Sequence, residues 1–263
     1  MVGASERAAL AAVCLACSLF GAPTKSSAAY DLAAPVMSEA RLRIAVGAND
    51  QSARKLTIGL FDDLAPASVR TFKGLCDDTL LPGASYRGAT VSRVERDKLI
   101  LANIPYGGSQ DVERSIDSTG YVRSVLRNRA DEYRNSDAND LMHDRPGMVS
   151  MQAGGGDFRF AIAPTANPAL DKQRVVIGQI LLNDLDSSEL LREINEIPVR
   201  QPKAETSLYL ALGKVGGDPR TRVDTVFRPL RKITISDCRI TRSPSASFET
   251  SARSVDASVE QHD

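Results

Sequence analysis

The chain has 263 residues, of which 42% are hydrophobic and 25% charged, as in an ordinary globular protein. Lys plus Arg and Asp plus Glu each number 33, so the basic excess typical of nucleic-acid binders is missing. Two histidines and four cysteines leave little material for a zinc site or a histidine-based triad. We therefore predict no zinc site, no histidine-based triad and no nucleic-acid partner.

The N-terminal 29 residues are predicted to be a signal or targeting segment. Residues 8–23 are almost wholly apolar and follow Arg7, but the run is shorter than the roughly 20 residues that a membrane-spanning helix needs. Small residues at Ser27 and Ala29 suit a signal peptidase, which predicts a mature start near Tyr30. An uncleaved anchor or a buried helix is the alternative. No later apolar run approaches spanning length, so we expect no membrane span in the mature form.

Removal of this segment would leave two of the four cysteines. Cys14 and Cys17 have CxxC spacing, but inside an apolar signal this reflects composition and not redox or zinc chemistry. Cys76 and Cys238 remain. They could form a disulfide in an oxidising compartment, and two buried free thiols are the simpler interpretation.

Two alternating patterns and a helix open the predicted domain. Apolar residues alternate with polar or small ones over 42–46 and again over 56–60, which predicts an antiparallel strand pair with one buried face. Pro66 then suits a first helical turn. Apolar residues at helical spacing predict a helix over 67–76 with a buried face.

Short strands dominate the rest of the chain. They are predicted at 88–94, 98–104, 147–152, 158–163, 174–181 and 232–240. The polar stretch 105–145 is expected to be largely a surface loop. A second helix is predicted at 187–197, with a capping box at 186–189 and Pro198 as its stop. Residues 199–229 form an insertion whose structure the pattern does not predict.

These elements predict a mainly β domain at 41–241, most simply a closed antiparallel barrel with two helices. A linker at 30–40 precedes the domain. The tail at 242–263 is Ser-rich, has almost no large apolar residues and is predicted to be disordered.

Six segments of the chain carry a family pattern, in a fixed order. They are LTIGLFDDLAPASVRTFKGLC at 56–76, YRGATVSRV at 86–94, PGMVSM at 146–151, FRFAI at 158–162, LDKQRVVIGQI at 170–180 and KITISDC at 232–238. Together they resemble the cyclophilin family of peptidyl-prolyl cis-trans isomerases. The resemblance implies a closed eight-stranded antiparallel barrel capped by two helices, acting on X-Pro bonds of polypeptides without a cofactor or metal.

The resemblance also implies which residues meet the substrate. Arg93 matches the family's catalytic arginine, whose guanidinium would stabilise the prolyl amide as its C–N bond twists. Phe160 matches a phenylalanine of the family's glutamine-phenylalanine-phenylalanine motif, either in the pocket or in the core. Other positions of the expected substrate site are Ile100, Gln152, Arg159, Ala161 and Arg174.

Several of these positions depart from the family pattern. Arg159 replaces the motif glutamine, Ala161 the pocket phenylalanine and Arg174 the pocket histidine, while Ala169 lies near the tryptophan position. Loss of a buried phenylalanine ring removes about 1.5–3 kcal/mol of apolar contact. We therefore expect reduced isomerase activity. The alternative is a non-catalytic binding or assembly module for a lumenal protein complex, for instance through a photosynthetic-complex subunit.

The insertion carries Gly-Gly-Asp-Pro-Arg at 216–220. A targeting segment followed by this divergent pattern and a long insertion is similar to the thylakoid-lumen cyclophilins of plants and algae. The resemblance implies a location in the thylakoid lumen of a chloroplast. The alternative is a periplasmic or secreted protein.

Overall fold

The structure is a computed structural model that describes most of the predicted domain. The described residues are 32–47, 52–81, 83–103, 112–116, 122–126, 133–201 and 226–242, with the backbone alone at 112–116 and 122–126. The predicted targeting segment, the tail beyond 242 and most of the predicted insertion lie outside these residues.

Eight strands close into an antiparallel barrel, as the sequence pattern and the resemblance predicted. Numbered in chain order, the barrel strands run in space as β1 (Ser38–Val46), β10 (Ile233–Arg242), β3 (Thr90–Glu95), β4 (Leu99–Asn103), β8 (Phe160–Ala163), β7 (Met148–Gln152), β9 (Arg174–Ile180) and β2 (Arg54–Leu60). β2 returns to β1, so the sheet has no free edge. The first strand begins before the predicted start at 42, because Ser38 pairs with both Arg242 and Leu60.

Two helices pack against the interior of the barrel, again as predicted. α1 (Pro66–Cys76) buries Val69, Phe72 and Leu75, and α2 (Leu185–Glu196) buries Leu190 and Ile194. These side chains join the inward-facing strand residues in one apolar core. Among the described helices, none combines the length and the apolar character needed to cross a membrane.

The start of α2 was predicted two residues too late, at 187 instead of Leu185. The helix begins at Leu185 after Asp184, whose carboxylate accepts a hydrogen bond from the Ser187 hydroxyl at 3.0 Å. The Ser187 hydroxyl in turn accepts from the Thr57 N–H at 2.9 Å, which ties the helix to β2. Ser187 follows Asp184 by three residues, just as Glu189 follows Asp186. The local pattern alone therefore does not show which aspartate precedes the helix.

The prediction that 105–145 is largely a surface loop is wrong for part of that range. β5 (Val112–Ile116) and β6 (Val122–Leu126) form a separate two-stranded antiparallel sheet. Their sequences, VERSI and VRSVL, are too short and too polar to show the alternation on which strand prediction relies.

Cys76 and Cys238 form a disulfide in the structure, which overturns the simpler interpretation of free thiols. Their Cα atoms lie 4.9 Å apart and both residues are at most 1% exposed. The bridge joins the last residue of α1 to β10 across 162 positions of sequence. Such a distant pairing depends on the closed barrel, which spacing along the chain does not reveal.

Candidate active site

A row of paired residues crosses four strands on the outer face of the barrel. Arg93 on β3 pairs with Leu101 on β4, Leu101 with Ala161 on β8, and Ala161 with Ser150 on β7. Directly paired residues point to the same side of a sheet. Their chain neighbours belong to the barrel core: Val94, Ile100, Ala102, Phe160, Ile162, Val149 and Met151. The row therefore faces outward and spans about 14 Å, since neighbouring strands lie about 4.8 Å apart.

Arg93 stands at one end of this outer-face row and is largely covered by residues of the same chain. Its side chain is 13% exposed. The Nε and Nη2 atoms contact one carboxylate oxygen of Glu95, the residue two positions further along β3 and thus on the same face. The guanidinium carbon also lies 5.1 Å from the centre of the Phe227 ring, within the range of a cation–π contact.

Phe227 reaches Arg93 because the end of the insertion runs beside β3. The Phe227 carbonyl accepts a hydrogen bond from the Val94 N–H at 2.9 Å, and the Phe227 N–H donates to the Arg200 carbonyl at 2.9 Å. β3 and β10 share the register pair Thr90–Thr234, well away from Val94. The insertion thus supplies a backbone partner and an aromatic ring at the far end of β3.

Arg159 and Asp157 form a buried ion pair just before β8. The Asp157 carboxylate accepts from Arg159 Nε at 2.9 Å, from Nη2 at 2.7 Å and from the Arg159 backbone N–H at 2.9 Å. Their side chains are 7% and 1% exposed. Arg159 therefore already has a carboxylate partner within the chain.

Arg174 lies over the other end of the outer-face row. Its Nε donates to the Ser150 hydroxyl at 3.1 Å, and its Nη2 donates to the carbonyls of Ser150 at 3.0 Å and Arg159 at 3.3 Å. Burial lowers the pKa of Arg174 to about 10, although the nearby Asp157 carboxylate acts in the opposite direction. The guanidinium is therefore still protonated at neutral pH.

Ala161 occupies the centre of the outer-face row and is fully buried, as is its neighbour Ser150. The resemblance predicted that Ala161, in place of the pocket phenylalanine, removes apolar contact from this surface. The surface next to it is instead occupied, because the Arg174 guanidinium lies on Ser150. The Arg174 guanidinium therefore covers the place where the resemblance predicted a proline pocket.

Two predicted substrate-contacting residues point the other way. Phe160 and Ile100 are 1% exposed and belong to the barrel core. The Phe160 ring lies 5.0 Å from Tyr86 and 5.4 Å from Phe72, both edge-on. Alternation along β4 and β8 directs both side chains inward, while Leu101 and Ala161 face outward. Phe160 thus follows its core alternative, and Ile100 does not lie on the outer face.

The remaining predicted position, Gln152, is partly exposed and pairs with Arg174 at the end of β7. It lines a small cavity with Tyr133, Asn135 and Asp157. The structure thus brings Arg93, Ala161, Arg159, Arg174 and Gln152 to the outer face of neighbouring strands or to their ends.

Sequence reasoning missed Glu95 and Phe227. The Arg-Val-Glu spacing on a predicted strand does place Glu95 on the same face as Arg93, so this contact was within reach of the pattern. Phe227 gave no such signal, because nothing in the insertion indicates where its end returns to the barrel.

The chain is similar in sequence to one known protein family and to named relatives. Residues 44–210 match the family model "Cyclophilin type peptidyl-prolyl cis-trans isomerase/CLD". The chain is 29% identical over 169 residues to the peptidyl-prolyl cis-trans isomerase D of Cryptococcus neoformans var. neoformans serotype D, with 62% of this chain and 40% of the relative covered. It is 30% identical over 146 residues to the peptidyl-prolyl cis-trans isomerase CYP8 of Saccharomyces cerevisiae, with 56% and 44% covered. The chain thus spans less than half the length of these relatives.

The fold has a match among solved structures. A cyclophilin type peptidyl-prolyl cis-trans isomerase of Cryptosporidium parvum superimposes with a TM-score of 0.50 at 17% sequence identity, with 79% of this chain and 99% of that chain covered. At this identity the match supports the barrel architecture alone.

Proposed function

The chain belongs to the cyclophilin-type peptidyl-prolyl cis-trans isomerase family, and from that premise we propose that it isomerises X-Pro peptide bonds in polypeptides. Arg93 is the catalytic residue in this proposal. The observation that carries it is the position of Arg93 on the outer face of β3, in register with Leu101 and Ala161.

The chemistry needs a fixed hydrogen-bond donor and no proton transfer. Rotation about an X-Pro bond breaks amide resonance, and the amide rotation barrier is about 18–20 kcal/mol. As the bond twists, the proline nitrogen lone pair leaves conjugation and becomes a better acceptor. A guanidinium aimed at that nitrogen binds the twisted state more strongly than the planar one, which lowers the barrier.

The neighbours of Arg93 support a rate below that of a typical family member. Ala161 offers a methyl group in place of a phenylalanine ring, and Arg174 places a charged group on Ser150 beside it. A proline ring gains less apolar contact there, and its approach displaces a hydrogen-bonded guanidinium. Weak binding of the proline and a reduced rate follow.

A protease-coupled assay on a prolyl tetrapeptide tests the proposal. Arg93→Ala is expected to lower kcat/KM about tenfold or more, since removal of one transition-state donor commonly costs about 10²–10³ in rate. Arg96→Ala, at an exposed position three residues away, is the matched control and is expected to leave the rate unchanged. If wild type and Arg93→Ala both showed only the background rate, the isomerase proposal would be refuted.

A second candidate function is a non-catalytic binding module for a lumenal, for instance photosynthetic, protein complex. Two observations favour it: Ala161 and Ser150 are fully buried, and Arg93 is mostly covered. Under this candidate the protein would co-purify with a specific complex, and Arg93→Ala would leave that association intact. If Arg93→Ala lost the association, the isomerase proposal would be favoured over the non-catalytic binding module.

We further propose that the protein works in an oxidising compartment, the thylakoid lumen, with the periplasm or secretion as alternatives. The disulfide between Cys76 and Cys238 supports an oxidising environment, since such bonds are rare in the cytosol. The apolar run at 8–23 and the motif at 216–220 support targeting to a lumen. Alkylation of the protein extracted from its source should find no free thiol at either cysteine.

A further inference from the structure

Arg93 is held on two sides by side chains of its own chain. Glu95 contacts two nitrogens of the guanidinium along one edge, and the Phe227 ring lies 5.1 Å from its central carbon. The Arg93 side chain is 13% exposed and Glu95 is 20% exposed. Little of the guanidinium is left for a substrate amide to approach.

The Glu95 contact competes with the chemistry expected of Arg93. A carboxylate that binds Nε and Nη2 takes N–H donors of the kind that the prolyl amide needs, and its charge screens the guanidinium. The two residues are fixed on the same face of one strand, so no change in the barrel is required to bring them together. Catalysis through these donors requires the contact to break.

The Phe227 contact is built into the backbone. Phe227 adopts φ 63°, in the left-handed region that bulky residues avoid, and both of its backbone polar groups are hydrogen-bonded. The Arg200 N–H donates to the Arg228 carbonyl at 2.9 Å, and Val199 pairs with Pro229, so the two ends of the insertion brace each other. These backbone hydrogen bonds hold the Phe227 ring over Arg93, although a residue that tolerates positive φ would be less strained at this position.

We propose that Glu95 and Phe227 are positioning residues that hold Arg93 in a closed arrangement, which an X-Pro substrate must displace to reach the guanidinium. This inference rests on the proposed function, because it concerns the reach of the same arginine. In this arrangement, side chains of the protein itself occupy part of the surface of Arg93 that a substrate would contact. The rate then depends on residues that do not themselves touch the reacting amide.

The test uses substitutions that remove each contact separately. Glu95→Gln removes the charge and keeps the shape, while Phe227→Asn removes the ring and keeps a residue type that tolerates positive φ. Phe227→Tyr retains the ring and serves as the conservative variant. Glu189→Gln, an exposed carboxylate, and Leu230→Ala, an exposed apolar residue on the Phe227 segment, are the matched controls.

Two readouts are measured on every variant. The first is kcat/KM for a prolyl peptide, split into kcat and KM. The second is the Nε–Hε NMR signal of Arg93, recorded with and without the peptide. We expect Glu95→Gln and Phe227→Asn each to raise kcat/KM about threefold to tenfold, mainly through KM, with a larger gain when combined. Phe227→Tyr and both controls should match wild type, and adding Arg93→Ala should abolish the gain.

The NMR signal separates failure of this inference from failure of the proposed function. If wild type is active, a kcat/KM at or below wild type in either Glu95→Gln or Phe227→Asn overturns the closed arrangement. If every variant stays at the background rate, the isomerase proposal fails. The NMR signal of Arg93 then decides whether the closed arrangement exists. A peptide response at Arg93 in the two variants but not in wild type supports the closed arrangement. An equal response, or none in any protein, overturns it.

Discussion

The methyl group of Ala161 lies at the centre of the outer-face row, flanked by Leu101 and Ser150. Because Ala161 is fully buried and Arg174 lies on Ser150, a larger side chain has no ready space. Ala161→Phe alone is expected to lower the free energy of unfolding by about 1–3 kcal/mol, measured by urea denaturation. Ala153→Phe, at an exposed turn position, should change it by less than about 0.5 kcal/mol.

The same place offers a two-residue rescue. Arg174→His removes the guanidinium from Ser150, so the double variant Ala161→Phe with Arg174→His should recover part of the lost stability. Under the proposed function it should also raise kcat/KM above wild type, because a ring returns to the face where the proline is proposed to bind. A double variant as unstable as Ala161→Phe would show that Arg174 does not limit this space.

His143 makes the stability of the protein depend on pH. It is fully buried, and its Nδ1 lies 2.6 Å from an Asp171 carboxylate oxygen. Burial lowers the pKa of His143 below its usual 6.5, and Asp171 opposes the effect without reversing it. As pH falls through 6.5 the unfolded chain binds the proton first, so the contribution of this residue is complete above 6.5 and is lost below it.

Urea denaturation at pH 7.5 and 5.5 measures this dependence. The loss of unfolding free energy between the two values should be smaller in His143→Gln than in wild type, because the variant has no imidazole to protonate. Each unit of pKa depression corresponds to about 1.4 kcal/mol. Equal losses in both proteins would contradict a depressed His143 pKa.

At the scale of elements, α1 obtains its N-terminal cap from another part of the chain. Ala65 stands at the N-cap position and offers no side-chain acceptor. The Asp137 carboxylate accepts from the Ser68 N–H at 2.6 Å instead, and Asn135 donates to the Ser68 hydroxyl at 3.4 Å. The segment that precedes β7 thus satisfies a helix end that its own sequence leaves open.

Removal of this distant cap should destabilise the protein. Asp137→Ala is expected to lower the free energy of unfolding by about 0.5–2 kcal/mol, as does loss of a helix cap in general. Asp140→Ala, an exposed aspartate of the same segment, is the matched control and should have little effect. A melting experiment on the three proteins checks the difference, and equal melting temperatures would contradict the capping role.

The elements that the sequence predicted well are those whose apolar period is local. The alternation at 42–46 and 56–60 and the helical spacing from Val69 to Cys76 need no knowledge of distant residues, and β1, β2 and α1 lie there. The outward position of Arg93 also follows from a local pattern. What the pattern missed is set by distant contacts: Asp137 at α1, Phe227 over Arg93, and Arg174 on Ser150.

At the scale of the whole molecule, the disulfide between Cys76 and Cys238 links two elements far apart in sequence. Reduction should lower the free energy of unfolding by about 2–5 kcal/mol, because the bridge restricts the unfolded chain. Unfolding with and without dithiothreitol measures the loss. The double variant Cys76→Ala with Cys238→Ala should be insensitive to the reductant, and an insensitive wild type would contradict a stabilising bridge.

The pairing of the first and last barrel strands has a practical consequence. Ser38 faces Arg242 across β1 and β10, so the domain is entered and left at points about 5 Å apart. A short linker can therefore join these points, and the chain can be reopened at an exposed turn such as Gly154 to give a circular permutant. Because the two ends of the barrel are adjacent, the whole barrel can also be inserted into a surface loop of a host protein without distorting the barrel or the loop.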